Sequence, residues 1–273
     1  MKKLVPEYAF TAEQLNIISD LAEQTGLTEQ ITRILYARGF NDAQKINRFM
    51  HPSRKNFLSP FLMKGMKETV EMLTEARDEG KSVAVFGDYD ADGICASAIM
   101  YHALKEFGID AHIYVPERAD GYGLSIEAID RIFEECNPEL FITVDCGISC
   151  AKEAQYIYEL GSDVIVTDHH ECRPELPEAC ALVNPHRPDD EYPFKDLAGV
   201  GVVFKLICAL EMTRCQREGR SEIDGVRQIC REYADLVAIG TIADVMPIVD
   251  ENRLIVALGL KLLEETKRPG LRA

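Results

Sequence analysis

Basic residues are scarce in this chain: 30 lysines and arginines stand against 46 aspartates and glutamates, a net charge of −16. Surfaces that grip a nucleic-acid backbone on their own are usually basic. The imbalance leaves two options, a small substrate or a chain that forms one part of a larger protein whose basic surface lies elsewhere. Carboxylates committed to divalent cations account for a small part of the excess. Long apolar runs are missing too. No stretch approaches the roughly 18 consecutive apolar residues of a membrane span, and the segment Met1 to Glu7 lacks the apolar run of a secretory signal. A cytoplasmic protein with no membrane contact is expected. The nine cysteines are odd in number and include no Cys-x-x-Cys pair. That argues against a zinc ribbon or a disulfide framework, and reduced, mostly buried thiols are expected. No Gly-x-Gly-x-x-Gly follows the first predicted strand, which disfavours a Rossmann-type nucleotide binder.

What is present changes character near residue 80. Thr11-x-x-Gln14 has capping-box spacing and predicts a helix start, with Gly26 placed to end that helix and Gly39 the next. Asn41-Asp42 caps a short third helix that stops before Pro52, and an amphipathic helix is predicted over 66–77. Residues 1–80 therefore read as a helical leader. From Val83 onward, short apolar runs alternate with amphipathic helices: strands are predicted at 83–86, 112–115, 140–144, 164–167 and 181–183. This grammar implies an α/β fold, a parallel five-stranded sheet flanked by helices. Three helices follow, over 205–217, 226–239 and 253–264, and residues 81–273 read as one catalytic domain.

Three of the strands end in acid. The first runs into Gly87-Asp88-Tyr89-Asp90-Ala91-Asp92-Gly93, the third into Asp145-Cys146-Gly147, and the fourth into Asp168-His169-His170-Glu171. Asp244, in Gly240-Thr-Ile-Ala-Asp244, closes an apolar helical run. Ligands of open parallel sheets bind beyond the carboxyl ends of the strands, so these clusters should converge. Carboxylates gathered without cationic partners repel one another and raise their pKa values; a divalent ion removes that penalty. A carboxylate-rich set with histidine suits Mn²⁺ or Mg²⁺. Two ions roughly 3.5–4 Å apart could share a carboxylate and clamp an in-line phosphoryl displacement, and Asp145, alone on the central strand, is the natural bridge. Each cluster also has an ordinary reading. An EF-hand start is disfavoured because Ile99, not Glu, lies six residues after Gly93. Asp92 reads as a cap of the helix that follows it, a lone strand-end Asp is usually a cap or turn residue, and paired histidines are commonly packed or surface residues. It is the coincidence on successive strands that favours chemistry.

The motifs GDYDADG, TVDCG and TDHHE, in this order on these strands, resemble motifs I to III of the DHH phosphoesterase superfamily, and GTIADVMP resembles motif IV. The blocks ILYARGFNDAQKINRFMHP, VPERADGYGLS, NPHRPDDEYPFKDLAGVGVVFKL and GTIADVMPIVDENR resemble the single-strand exonuclease branch of that superfamily, and the likeness covers essentially the whole chain. The resemblance implies a two-metal site of Mn²⁺ or Mg²⁺. Asp88, Asp90, Asp145, His169 and Asp244 would be the ligands, with Asp168 orienting His169 and His170 facing the scissile phosphate. Some relatives carry a histidine where this chain has Phe86, so one ion would have fewer protein ligands. Family nucleases continue into a DHHA1 domain and the exonuclease branch adds an OB-fold; both are expected to be missing partners of this chain, which is read as the N-terminal catalytic part.

Several further residues are candidate substrate contacts. Ala198-Gly199-Val-Gly201 before a helix would offer free backbone N–H groups to an anion, although glycine for close helix packing is an equal alternative. Arg118 could reach phosphate and Tyr122 a base or sugar. Asn184 and His186 follow the fifth strand. The resulting expectation is a metal-dependent phosphodiesterase that degrades single-stranded DNA from the 5′ end to nucleoside 5′-monophosphates, in repair and recombination. Exonuclease action, polarity and strand preference come from the resemblance alone. The alternatives are a small-substrate member of the same superfamily, acting on oligonucleotides, cyclic dinucleotides or pyrophosphate, and a non-catalytic module that binds partners.

Overall fold

Thr11 Oγ1 accepts from the Gln14 N–H at 3.2 Å and Gln14 Oε1 accepts from the Thr11 N–H at 2.9 Å. This reciprocal box starts the first helix, α1 (Ala12–Thr25), and Gly26 ends it in the left-handed conformation. Thr28 caps α2 (Glu29–Ala37) and Asp42 caps α3 (Ala43–Met50). The computed structural model describes residues 9–53, 56–117 and 123–273. Its chain divides into two units, residues 1–57 and 58–273. In the first, Leu21, Leu35 and Ile46 form a small buried cluster, and Phe40 lies 4.6 Å from Phe49 between ring centroids.

The second unit begins with a 3₁₀ turn, Pro60–Leu62, and α4 (Met66–Glu79). The sequence reading groups α4 with the helical leader; in the structure it packs against the strand Ala181–Val183 and the helix Gly199–Glu218 of the larger unit. The remaining elements are β1 (Val83–Gly87), α5 (Ala91–Phe107), β2 (Ala111–Tyr114), α6 (Ile126–Cys136), β3 (Leu140–Val144), α7 (Ala151–Glu159), β4 (Asp163–Thr167), β5 (Ala181–Val183), α8 (Gly199–Glu218), α9 (Glu222–Ala243), α10 (Asp250–Glu264) and α11 (Pro269–Arg272). The five strands are all parallel, in the order β2-β1-β3-β4-β5. The predicted fold class is therefore observed.

Successive strand residues face opposite sides, and both sides are buried, as expected of a parallel sheet. Ala84, Phe86, Phe141, Val164 and Val166 pack with Ile129 and Ile132 of α6 and Ile157 of α7. The opposite face meets α5, where a Cβ on Gly87 would lie 1.8 Å from Ser97 Oγ. Phe86, a residue of the core, is fully buried and stacks on Tyr114 at 5.8 Å. Helix α8 is apolar on nearly every side and is buried over most of its length, as a central core helix should be. No helix among the described residues is long and apolar enough to cross a membrane.

The helices starting at Ala91, Gly199 and Asp250 begin earlier than the apolar periodicity predicts. For α5 the reason is Asp90, whose Oδ1 accepts from the Asp92 and Gly93 N–H groups at 2.8 and 2.9 Å. A buried ion pair ties α8 to α10. Lys205 Nζ lies 2.8 Å from Glu251 Oε1, both side chains being essentially inaccessible. Glu251 also accepts from the Leu58 N–H and the Tyr192 hydroxyl. Asn252, buried beside it, donates to the carbonyls of Asp196 and Pro247. Removing one member of a buried pair leaves an uncompensated charge, at a cost of about 3–5 kcal/mol. Glu251→Ala is therefore expected to destabilise the chain by that amount in denaturant unfolding, and a loss below about 1 kcal/mol would refute the clamp.

Candidate metal centre

The strand register lines up one residue from each strand end. Gly87 pairs with Val144, Val144 with Thr167, and Thr167 with Val183. The residues that follow these strands, Asp88, Asp145, Asp168 and Asn184, accordingly lie in one row. The Asp145 N–H donates to the Thr167 carbonyl and the Asp168 N–H to the Val183 carbonyl, each at 3.0 Å, which carries the ladder one step past the strands. In sheet order β1 sits between β2 and β3, so Asp88 and Asp145 flank the point where the chain reverses direction across the sheet, the usual ligand crevice of an open α/β fold.

Among the described residues, three groups bring ligand atoms within 4.8 Å of one another: Asp88, Asp90 and Asp145; Asp145, His169 and His170; and Asp92, His169 and Asp244. Asp145 and His169 each belong to two of them. Asp145 sits at φ 61, a left-handed conformation that Asp tolerates better than most residues. His169 Nε2 lies 3.2 Å from Asp145 Oδ1, 3.7 Å from Asp244 Oδ2 and 3.9 Å from Asp92 Oδ2; none of these approaches is a hydrogen bond. Asp244 arrives from the C-cap of α9. The predicted ligands Asp88, Asp90, Asp145, His169 and Asp244 are thus brought together.

The structure adds Asp92, which sequence reasoning assigned to capping its own helix. Asp90 takes that role. Asp92, 1% exposed, instead accepts from the Gly199 N–H at 2.7 Å and the Val200 N–H at 3.1 Å, capping α8 from across the fold. The expected anion site at Gly199 is filled from within by this carboxylate. Gly199 is required for another reason, because its Cβ would lie 2.1 Å from Asp145 Oδ1. Two other glycines meet site aspartates closely: a Cβ on Gly93 would lie 2.5 Å from the Asp88 carbonyl oxygen, and one on Gly240 2.5 Å from Asp92 Oδ1. The Gly201 Cβ would meet Leu197 at 3.3 Å, a packing contact. The regular Asp-x-Asp-x-Asp spacing was the available signal for Asp92; its partner, 107 residues away, was not.

Asp168 also departs from expectation. Its Oδ1 accepts from the His169 and His170 N–H groups and lies 2.7 Å from His170 Nδ1, while Oδ2 accepts from the Ile148 N–H at 2.8 Å. It holds the His170 ring, not the His169 ring as the motif reading expects, because the bonded ring belongs to the residue two positions on. Burial pushes the Asp168 pKa up, but the His170 and backbone hydrogen bonds outweigh it and hold the group below its ordinary value. The same bond raises His170 to about 9. Asn184 is fully buried; it donates to the His170 carbonyl at 3.0 Å and accepts from the His186 N–H at 2.7 Å. It pins the turn that carries the histidines, and its side chain is committed to these two bonds. His186 Nδ1 lies 3.3 Å from Glu171 Oε1. Arg118 and Tyr122 lie outside the described residues. Cys146 is a buried packing residue, as expected, its thiol pushed well up by burial.

The remaining carboxylates are frustrated. Burial, then Asp168, Asp90 and Asp88, push Asp145 to about 9. Burial and Asp145 push Asp92 to about 8, and burial and Asp90 raise Asp88. Asp88 Oδ2, Asp145 Oδ1 and His169 Nε2 are buried without a hydrogen-bond partner. An unsatisfied buried polar atom costs about 1–3 kcal/mol, and three of them gathered around one carboxylate fit divalent ions. Oxygen donors with one imidazole suit Mn²⁺ or Mg²⁺.

A family profile described as "DHH family, N-terminal domain" matches residues 82–241, which contain the three strand-end motifs. The chain belongs to the DHH family. A single-stranded-DNA-specific exonuclease RecJ from Bacillus subtilis (strain 168) is 42% identical over 256 residues, covering 93% of this chain and 30% of that protein. Two crystal structures of RecJ from Thermus thermophilus each cover 94% of this chain. The complex with Mn²⁺ has a TM-score of 0.73 at 32% identity, with 35% of its own chain covered. The complex with Mg²⁺ has 0.61 at 29%, with 31% covered. The chain spans less than half the length of the curated relatives it matches.

The raised carboxylates link this DHH site to stability. In chelator, folded Asp145 and Asp92 keep protons that the unfolded chain, at the ordinary 3.8, has released. The folded state therefore binds more protons, and stability should fall as pH rises from about 4 towards about 9. Denaturant unfolding across that window is expected to show this slope, and Asp145→Asn should flatten it and stabilise the metal-free chain. A slope of the opposite sign would refute the assignment.

Proposed function

We propose that this DHH chain carries the two-metal catalytic centre of a 5′→3′ exonuclease that degrades single-stranded DNA to nucleoside 5′-monophosphates. The observation that carries the reading is the meeting of Asp88, Asp145 and His169 through buried, unpartnered atoms, inside a chain 42% identical to a RecJ exonuclease. Asp88 and Asp90 would hold one Mn²⁺ or Mg²⁺ ion, His169 and Asp244 the other, with Asp145 shared. Bound ions would supply the charge that draws in the phosphoryl oxygens and lower the pKa of the attacking water. Asp92 belongs to the same cluster, but its bonds to Gly199 and Val200 suit it to fixing α8 against the site. His170, half-exposed and held by Asp168, is oriented to donate a hydrogen bond or proton to a phosphoryl or leaving oxygen. Asp168 keeps the ring's orientation and its proton.

The net charge of −16 favours a second reading, a DHH phosphoesterase for short oligonucleotides or other small substrates. The full-length relatives' DNA surface would then have no counterpart here. End-labelled single-stranded oligonucleotides with Mn²⁺ or chelator separate the two. Metal-dependent release of mononucleotides from the 5′ end supports the exonuclease, cleavage confined to very short oligonucleotides supports the alternative, and no cleavage refutes both. Asp145→Asn is expected to lose both ions in calorimetry. His169→Ala should lose metal affinity first and recover in part with excess Mn²⁺. His170→Ala should keep metal affinity and lose about 10²–10⁴ in kcat; recovery of His170→Ala alone by excess Mn²⁺ would reverse the two roles.

A further inference from the structure

The helix that delivers Asp244 ends against its own sequence preference. The Met246 N–H donates to the Thr241 carbonyl at 3.2 Å and the Val245 N–H to the Ile242 carbonyl at 3.1 Å. This bond pair is a Schellman end, in which the residue after the cap is left-handed. That residue is Val245, at φ 57. Glycine normally takes the position because a Cβ there crowds the backbone, and a β-branched side chain is disfavoured most. The chain uses glycine at the left-handed ends of α1, α4, α5 and α8, at Gly26, Gly80, Gly108 and Gly219. Among the described residues, the other non-glycine positive φ values belong to Asn137, Asp145 and Asp250, residue types that tolerate them.

Packing does not compensate Val245. It is 85% exposed, so the two methyl groups that make the conformation costly bury almost no surface within the chain. An exposed apolar residue alone needs no explanation; one held under backbone strain, bonded to a member of the carboxylate cluster, points to contact with something that enters the site. A nucleotide presents an anionic phosphate beside the apolar face of a base. The carboxylate centre serves the phosphate, and an exposed apolar side chain on the residue next to Asp244 suits the base.

We propose that Val245 is a substrate-contacting residue that packs against the nucleobase adjoining the phosphate held at the metal centre. This rests on the phosphodiesterase reading above. The test compares the chain with Val245→Ala and Val245→Gly in Mn²⁺, on a single-stranded oligonucleotide and on the same oligonucleotide with abasic terminal nucleotides. The parent is expected to show a KM for the normal strand lower by roughly ten-fold, the value of burying one such side chain. Both variants should lose most of that preference while kcat and Mn²⁺ affinity stay unchanged. Val245→Gly should also melt a few degrees higher, since it relieves the strain. A preference absent in the parent or retained in both variants overturns the proposal, as does a lower melting temperature for Val245→Gly. A parent that binds Mn²⁺ but cleaves neither strand refutes the phosphodiesterase reading itself, and the Val245 contact with it.

Discussion

Buried negative charge is the constraint on which the larger unit is built. Asp88, Asp92, Asp145 and Asp168 are each 1% exposed, close enough that Coulomb repulsion adds to the cost of desolvation. The fold answers part of this charge with hydrogen bonds. Asp168 receives three backbone or ring hydrogen bonds on one oxygen and an Ile148 amide on the other. Asp92 takes the first amides of α8, where the helix dipole favours a carboxylate. Asp90 is committed on one oxygen to its own helix. Asp145 receives no such help on Oδ1, and burial with the neighbouring carboxylates pushes its pKa up to about 9. A residue left so unsatisfied in an otherwise well-bonded site is where a cation contributes most.

Steric exclusion matters as much as charge. Gly93, Gly199 and Gly240 bring backbone against Asp88, Asp145 and Asp92 at distances no side chain would allow. Two of these glycines lie on α8 and α9, far in sequence from the strands, and they let the helices close over the strand ends. Asn252 then ties the loop after Asp244 to the approach to α8 through the Pro247 and Asp196 carbonyls. With the Lys205–Glu251 pair beside it, the clamp ties α8 to α10 and to the segments that lead into them. Its polar groups are satisfied at both ends, which is the condition under which a buried network holds geometry without a net loss.

The sheet, its parallel sense and four of its strand-end residues were legible in the sequence because apolar runs and acidic turns are local signals. Helix starts at Thr11 and Asp42 were legible for the same reason, since a cap and its amides lie within three residues. The starts of α5 and α8 were read too late: a cap overrides apolar periodicity at α5, and at α8 the capping carboxylate comes from Asp92, distant in sequence. The role of Asp168 was misread because a motif names residues without stating which ring a carboxylate faces.

The sequence by itself determined the α/β architecture and the set of acidic and imidazole side chains at the strand ends, because short apolar runs and turn chemistry are set over a few residues. Only the tertiary structure decided which carboxylates stay unpaired, which one caps a distant helix, and which histidine Asp168 holds. Those outcomes depend on strand register and on helix closure across more than a hundred residues, where a shift of one position would exchange one side chain for its neighbour.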